Sequence, residues 1–207
     1  MKKIGVLALQ GCVQPHRAHV EAAGHEFVEI RKPQQLKTVD ALIIPGGEST
    51  TFLKLLSTFG FFEALEEFKE SKKPAWGICA GAILISEKIL NSEQKSCNWI
   101  PMTVSRNAYG RQLESFETKV WDYSVAFIRA PQFESFAEGV EILAHDPRSN
   151  KPSCVRFNQF LATSFHPELS TPTPSPFHQY FFEMVEAASF PELTKPSFSK
   201  SLFPQTL

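Results

Sequence analysis

The chain has 207 residues, of which 43% are hydrophobic and 21% charged, enough for one compact domain with a sizeable core. Its formal net charge of −1 disfavours strong general attraction to nucleic acid or anionic membranes, so neither is an expected partner. The four cysteines show no C-x-x-C spacing, which indicates neither a zinc site nor a disulfide framework, and we expect a reduced, cytoplasmic protein.

The first 90 residues alternate short apolar runs with longer amphipathic ones. The first run, KIGVLAL, is too short to span a membrane and is predicted to be a buried strand, as are EFVEIR, VDALIIP and PAWGI. Helices are predicted from Pro15 to Ala23, over residues 51–70 with an interruption at Gly60, and in AGAILISEKIL, residues 80–90. This order implies a parallel sheet that is covered on both faces.

The remaining chain has a different pattern. Between about Asn98 and Ser164, short extended runs separated by turns predict an antiparallel section attached to the sheet. A last amphipathic helix is predicted from about Pro176 to Ala188, and its aromatic stripe is typical of core packing. We expect one domain over residues 1–188 and an irregular tail, rich in proline and serine, over residues 189–207.

Cys79 lies in the motif GICAG, where Gly77 and Gly81 flank it as in the nucleophile elbow of serine hydrolases. Glycines at these positions let neighbouring backbone approach a strained strand-to-helix turn without a Cβ clash. The amides that open the helix near Ala80 favour a thiolate and an oxyanion. A buried core cysteine beside packing glycines is the alternative.

His166 is the candidate base for such a nucleophile. In SFHPEL it follows an apolar strand, and Glu168 comes two residues later. Alternation along an extended chain sends both side chains to one side, where the carboxylate can fix the imidazole tautomer. The alternative is that His-Pro-Glu only forms a turn before the last helix.

Two other patterns are less specific. His16 and His19, one helical turn apart, are compatible with a metal pair, but without nearby acidic or cysteine ligands an exposed helix face is the preferred interpretation. In IIPGGEST, residues 43–50, a strand ends at two glycines whose amides can face a substrate, and Ser49 or Thr50 can cap the next helix.

The motifs LALQG, PGGEST, GICAG, SRNAYGRQLESFE, FIRAP and SFHPEL, in this order, resemble those of class I glutamine amidotransferases. More narrowly, the chain resembles the PdxT family, the glutaminase subunits of pyridoxal 5'-phosphate synthase, from about Ile4 to Glu186. The pair RNAYGRQ and FIRAP distinguishes this family from glutaminases that serve other pathways.

The resemblance implies an α/β, flavodoxin-like three-layer sandwich with a mostly parallel central sheet and an antiparallel extension. It implies hydrolysis of L-glutamine to L-glutamate and ammonia, without a cofactor or metal, and delivery of the ammonia to a synthase subunit for vitamin B6 biosynthesis. The implied catalytic residues are Cys79 as nucleophile, His166 as general base and acid, and Glu168 as its orienting partner.

The resemblance also implies an oxyanion hole formed by backbone amides of Gly47 and Ala80. The implied substrate contacts are Gly47, Glu48, Ser49, Arg106, Ile128 and Arg129. A guanidinium offers two donors to the α-carboxylate of glutamine, and Arg106 is the candidate. For Arg106 and Arg129 the alternative is ordinary surface or interface pairing.

Two other functions remain compatible with the sequence. One is a glutaminase of the same superfamily that serves another acceptor, or a cysteine hydrolase on the same fold. The other is a binding or regulatory subunit without turnover, which the intact set of Cys79, His166 and Glu168 disfavours.

Overall fold

The computed structural model describes residues 1–106 and 115–189. The RNAYGRQ residues after Arg106, and the predicted tail from residue 190 onward, lie outside the described residues. Within the described ranges, no helix combines the length and the apolar character that crossing a bilayer requires.

The strands are β1 Lys3–Leu7, β2 Glu26–Ile30, β3 Ala41–Ile44, β4 Ala75–Ile78, β5 Ser86–Leu90, β6 Ile100–Ser105, β7 Phe116–Val120, β8 Tyr123–Phe127, β9 Gln132–Phe136, β10 Glu141–His145, β11 Pro152–Phe157 and β12 Phe160–Thr163. The helices are α1 Pro15–Ala22, α2 Ser49–Thr58, α3 Phe61–Glu70, α4 Ala80–Ile85 and α5 Pro176–Ala187. Two short 3-10 segments cover Pro33–Thr38 and Pro167–Leu169.

The main sheet has seven strands in the order β10-β11-β12-β4-β3-β1-β2. The five strands from β12 to β2 are parallel, while β10, β11 and β12 pair antiparallel. A second sheet has the order β5-β6-β9, and β7 and β8 form a hairpin. The predicted mostly parallel sheet with an antiparallel extension is confirmed. Two assignments need correction: the runs containing β6 and β12 are predicted for the antiparallel section, yet β6 also pairs parallel to β5 and β12 parallel to β4.

Two hydrophobic clusters lie on opposite faces of the main sheet. In β3, Leu42 and Ile44 belong to one cluster and Ala41 and Ile43 to the other, as strand alternation requires. The first cluster also includes side chains of α2, α3 and the three-stranded sheet, and the second those of α1, α5 and the β7–β8 hairpin. The sheet therefore has a layer on each face, which confirms the three-layer sandwich.

The predicted last helix is confirmed as α5, and its aromatic stripe is core packing. The buried residues on α5 include Phe177, Tyr180, Phe181, Met184 and Val185.

The helix predicted over residues 80–90 is wrong in its second half. The α4 helix ends at Ile85, Ser86 has an extended backbone with ψ 160°, and β5 follows. The Ser86 hydroxyl donates to the carbonyl of Ile83, and Ile89 pairs with Val104 of β6. Local propensity favours a helix here, but pairing with a strand more than ten residues away decides the outcome.

Candidate active site

The four parallel strands β1, β3, β4 and β12 end at the same edge of the sheet. In open α/β sheets this carboxyl edge is where ligands bind. The loops that follow these strands, with the loop after β8 and residue 106 after β6, surround a cavity of about 270 Å³. Its lining residues are Cys12, Gly47, Glu48, Ser49, Cys79, Ala80, Ile83, Arg106, Ile128, Arg129 and His166.

Cys79 occupies a strained turn between β4 and α4. Its backbone angles are φ 50° and ψ −104°, and a positive φ is unfavourable for a residue with a Cβ. The turn is fixed by hydrogen bonds from the amide of Cys79 to the carbonyl of Thr163, 2.8 Å, and from the amide of Ile83 to the carbonyl of Cys79, 3.2 Å. The thiol points into the cavity and lies 3.8 Å from the carbonyl oxygen of Ile128.

The glycines on either side of Cys79 are required by close backbone contacts, as predicted. A Cβ on Gly77 would lie 2.7 Å from the backbone of Gly81, and one on Gly81 would lie 2.0 Å from the carbonyl oxygen of Ile44. The helix can therefore start directly against β3 and β4 only because both positions lack a side chain.

We expect Gly81→Ala to lower the free energy of unfolding by about 3 kcal/mol, because the blocking atom of Ile44 belongs to the backbone of a central strand. Urea unfolding at neutral pH measures this loss. Gly24→Ala is the matched control: Gly24 has φ +76° and open space around its Cα, so only conformational strain of about 1 kcal/mol is expected. Equal losses for both variants would contradict the steric explanation.

His166 and Glu168 form a buried hydrogen-bonded pair. Nδ1 of His166 lies 2.7 Å from Oε1 of Glu168, and the side chains are 4% and 0% exposed. The amide of His166 donates to the carbonyl of Ala126 on β8, 2.8 Å away, so the hairpin braces the histidine from the other side. The ring also lies over Gly46, where a Cβ would be 2.1 Å from Cε1.

The environment of His166 favours its protonated form. Burial alone would lower the pKa of His166, but hydrogen bonds with Cys12, Cys79 and Glu168 and the charge of Glu168 outweigh it and raise the pKa well above the usual value. The pKa of Glu168 is lowered: burial opposes ionisation, and the bond from His166 and the charge of nearby His16 more than compensate. Both shifts favour an imidazolium paired with a carboxylate.

Glu48, not Ser49 or Thr50, caps α2, which corrects the predicted cap. Its carboxylate accepts from the amides of Thr50 and Thr51, 3.2 and 2.7 Å away. Partial burial raises the pKa of Glu48, but these bonds and the two threonine hydroxyls lower it to about 2. A carboxylate accepts more strongly than a hydroxyl and complements the positive end of the helix.

Arg106 is held at the cavity by two partners. Its guanidinium donates to Oε1 of Glu48, 3.2 Å away, and to Oε1 of Gln94 at 2.5 Å. The same amide oxygen of Gln94 accepts from the hydroxyl of Ser49, 3.1 Å away. Arg106 therefore faces the site rather than the open surface.

The structure gathers every sequence-predicted site residue at this cavity. All of them line it except Glu168, which lies behind His166. Arg129 directly follows Ile128, whose carbonyl faces the thiol of Cys79. Its backbone has an unusual positive φ of 47°.

Comparison with known proteins agrees with this geometry. The sequence matches the SNO glutamine amidotransferase family over residues 6–187. The chain belongs to this family. It is 43% identical over 194 residues to the "Pyridoxal 5'-phosphate synthase subunit PdxT" of Geobacillus sp. (strain WCH70), which covers 91% of this chain and 99% of that protein. The PdxT subunit of Niallia circulans is 44% identical over 192 residues, covering 90% and 99%.

Solved structures give the same fold. A crystal structure of a glutamine amidotransferase has a TM-score of 0.80 and 40% sequence identity, and the match covers 88% of this chain and 98% of that chain. The PurLQS structure from Thermotoga maritima, at 15% identity, has a TM-score of 0.65 and covers 91% of this chain. The second likeness concerns the fold alone.

The prediction that His16 and His19 lie on an exposed helix face is wrong for this amidotransferase. Both are buried, at 0% and 1% exposure, because the α1 face that carries them lies against α5. Nδ1 of His16 lies 2.9 Å from Nε2 of His178, and Nδ1 of His178 lies 2.7 Å from the hydroxyl of Ser175.

The buried histidines also contact the site. Nε2 of His19 lies 3.3 Å from the carbonyl oxygen of Glu168, and the ring of His19 stacks on His178 with centroids 4.0 Å apart. The indole of Trp76 packs edge-on against His178. Because Val20 lies on the same helix face, the sequence did hold a weak signal that this face is buried.

This cluster predicts a pH-dependent stability. Burial lowers the pKa of His16 to about 4 and also lowers the pKa values of His19 and His178. The unfolded chain takes up these protons near pH 6.5, so stability is fully present above that pH and is lost as the pH falls toward 4. The raised pKa of His166 acts in the opposite sense: its stabilisation grows as the pH falls through 6.5, is fully present well below that pH, and offsets part of the loss there.

We expect His16 alone to reduce the free energy of unfolding by about 2 kcal/mol between pH 7 and pH 5. Urea unfolding at both pH values measures the change in the free energy of unfolding. In His16→Asn, whose amide retains a polar atom near the Nδ1 position, this change should be about 2 kcal/mol smaller than in the wild type. An unchanged difference in the variant would contradict the assignment.

Sequence reasoning missed three polar residues at the site: Gln10, Cys12 and Gln94. The amide of Gln10 pairs with the backbone of Glu48, with bonds of 3.2 and 3.3 Å. Gln10 and Cys12 directly follow β1, so counting the residues after each parallel strand end would have found them. Gln94 has no such signal, because its loop reaches the site from the second sheet.

Proposed function

We propose that this chain is the glutaminase subunit of a pyridoxal 5'-phosphate synthase, which hydrolyses L-glutamine and delivers ammonia to a synthase subunit. The observation that carries the proposal is the convergence of Cys79, on its strained turn, and the buried His166–Glu168 pair at one cavity of a glutamine amidotransferase chain. The similarity to PdxT subunits of pyridoxal 5'-phosphate synthase supports the choice of pathway and partner.

The first half-reaction acylates the enzyme. The thiolate of Cys79 attacks the side-chain carbonyl of glutamine, and the backbone amides of Gly47 and Ala80, both at the cavity, stabilise the tetrahedral oxyanion. Protonated His166 then gives its proton to the departing ammonia while Glu168 holds the ring by Nδ1.

The second half-reaction releases glutamate. Neutral His166, left after the first proton transfer, accepts a proton from water, which attacks the thioester and frees Cys79 as the thiolate. The raised pKa of His166 favours the imidazolium that this step regenerates for the next cycle. The Cys-His-Glu set therefore needs no metal ion or cofactor for either step.

Substrate recognition is proposed for the opposite wall of the cavity. Arg106 binds the α-carboxylate of glutamine, and Gly47, Glu48, Ser49, Ile128 and Arg129 complete the contacts. The carboxylate of Glu48, ionised and already near Arg106, also suits the α-ammonium group.

Arg106→Met should raise KM for glutamine about 30-fold with a smaller effect on kcat, because the lost charge contacts the part of the substrate that does not react. Glutamate release at varied glutamine concentration measures both constants. The control is Arg31→Met, which removes an exposed arginine at the end of β2 that does not line the cavity. A large loss of kcat at unchanged KM would contradict a binding role.

The whole proposal is tested by glutamate release from the purified chain with and without a pyridoxal phosphate synthase subunit. We propose that docking of the synthase subunit aligns one of the two oxyanion amides, so we expect a low rate alone and a rise of about a hundredfold with the partner. High activity of the isolated chain would contradict coupling to the partner, and no release in either condition would overturn the glutaminase assignment.

We also propose that the enzyme works in the cytoplasm without nucleic acid or membrane partners. Four cysteines without a disulfide, and a net charge of −1, support this. Fractionation of the source cells checks it.

A further inference from the structure

Cys12 places a second thiol beside the buried His166–Glu168 pair. The sulfur of Cys12, a ring nitrogen of His166 and a carboxylate oxygen of Glu168 all lie within 4.8 Å of one another. Cys12 comes from the loop after β1, whereas His166 and Glu168 come from the segment after β12, far along the chain, so no ligand spacing that joins all three is visible in the sequence.

The position of Cys12 is fixed by its backbone. Its amide donates to the carbonyl of Gly46, 3.0 Å away, and the preceding Gly11 has φ +88° with that same carbonyl where a Cβ would be, 1.9 Å. Gly46 in turn lies directly under the ring of His166. The backbone of Cys12 is therefore fixed beside the imidazole, which keeps its thiol within reach of the ring.

A second observation points to a ligand at this place. Oε2 of Glu168 is buried and has no hydrogen-bond partner among the described residues, while Oε1 is bonded to His166. A buried carboxylate oxygen without a partner is unfavourable, and a cation would satisfy it. Cys12 and His166 both line the open cavity, so an ion can reach the site from solvent.

The donor set selects the kind of ion. Thiolate, imidazole and carboxylate together are ligands of Zn²⁺, whereas Mg²⁺ and Ca²⁺ prefer oxygen alone. Zinc bonds of about 2.0–2.3 Å put tetrahedral ligand atoms about 3.5 Å apart, so the three atoms need to move together by roughly an ångström. Three protein ligands leave the fourth position for water on the cavity side.

We propose that Cys12, His166 and Glu168 form a zinc site whose occupation switches the enzyme off. Zinc binding displaces the proton of the Cys12 thiol and one ring proton of His166, and both are released to solvent. The freed lone pair of His166 and the carboxylate of Glu168 then bind the ion, so the imidazole can no longer exchange a proton with substrate or water. The inhibitory consequence rests on the proposed function, but the binding of zinc does not. Cys79 is not needed as a ligand.

Calorimetric titration of the purified chain with ZnCl₂ alone, under a phosphine reductant, tests the site. We expect one zinc per chain for the wild type and at least tenfold weaker binding for Cys12→Ser. Cys79→Ala should bind like the wild type, as should Cys97→Ser, whose half-buried thiol packs against the core away from the cavity. Thermal unfolding of each variant without zinc verifies that it is folded.

Three results would overturn the proposal: no binding by the wild type, equal binding by Cys12→Ser, or loss of binding in Cys79→Ala with Cys12→Ser unaffected. The last would place zinc on the nucleophile instead. A second experiment measures inhibition of glutamate release in the complex for the wild type, Cys12→Ser and Cys97→Ser, each relative to its own zinc-free rate, with reversal by EDTA. The half-inhibiting zinc concentration should rise at least tenfold in Cys12→Ser.

The two proposals fail in different ways. If the complex releases no glutamate, the proposed function fails, while calorimetry still reports on the zinc site. If the complex is active and zinc inhibits wild type and Cys12→Ser alike, the glutaminase assignment stands and the zinc site is wrong.

Discussion

Cys79→Ala is expected to abolish glutamine hydrolysis, with kcat at least about 10⁴-fold lower in the complex with the synthase subunit. No other described side chain at the cavity occupies the strained turn that points the thiol of Cys79 at the substrate. Binding of glutamine should change little, because an alanine removes the reacting atom and leaves the substrate contacts in place.

The measurement is glutamate release at saturating glutamine, with calorimetric binding of glutamine in parallel. Cys97→Ala is the matched control, since it removes a thiol outside the cavity and should keep the wild-type rate. If Cys12 served as the nucleophile instead, Cys79→Ala would retain measurable turnover, and the assignment of Cys79 would be wrong.

Glu168→Gln is expected to lower kcat by about 10³-fold while the fold is retained. The amide keeps the volume of the carboxylate and can still accept a hydrogen bond from Nδ1 of His166. It loses the negative charge that helps to raise the pKa of His166, so the imidazolium becomes less stable.

The pH dependence separates this role from simple structural support. With the pKa of His166 lowered, the change in kcat that follows its titration should move to lower pH in Glu168→Gln. Rates from pH 5 to pH 10 measure the shift, and Glu138→Gln, on the exposed surface, is the control. A kcat within threefold of the wild type would show that the carboxylate does not support the histidine.

Sequence alone was sufficient for the strands that position the site. The apolar runs before Gly46, Cys79 and His166 are buried on both faces, so their pattern is strong, and parallel strands bring their carboxyl ends together. The roles of Gly77 and Gly81 follow from the same geometry, because a nucleophile turn between packed strands has no room for Cβ atoms.

What the sequence did not predict depends on contacts between distant segments. The change from α4 to β5 requires β6 as a pairing partner, and the burial of His16 requires α5 to cover it. A cap by Glu48 was overlooked because shorter polar residues follow it directly. Histidine on a helix face is ambiguous until its neighbour is known, since a neutral imidazole can be buried in a core and a charged one is buried only beside a compensating group.

The side chain of Gln94 competes with the proposed substrate for the same hydrogen-bond donors. Its amide oxygen is held by the hydroxyl of Ser49 and the guanidinium of Arg106, two donors that we assign to glutamine. A side chain attached to the same molecule competes at a high effective concentration, which no dilution of the sample reduces. Glutamine must therefore displace the amide of Gln94 in order to bind, and its affinity is the difference between the hydrogen bonds that it gains and those that Gln94 loses. The KM for glutamine is expected to fall when the amide of Gln94 is removed.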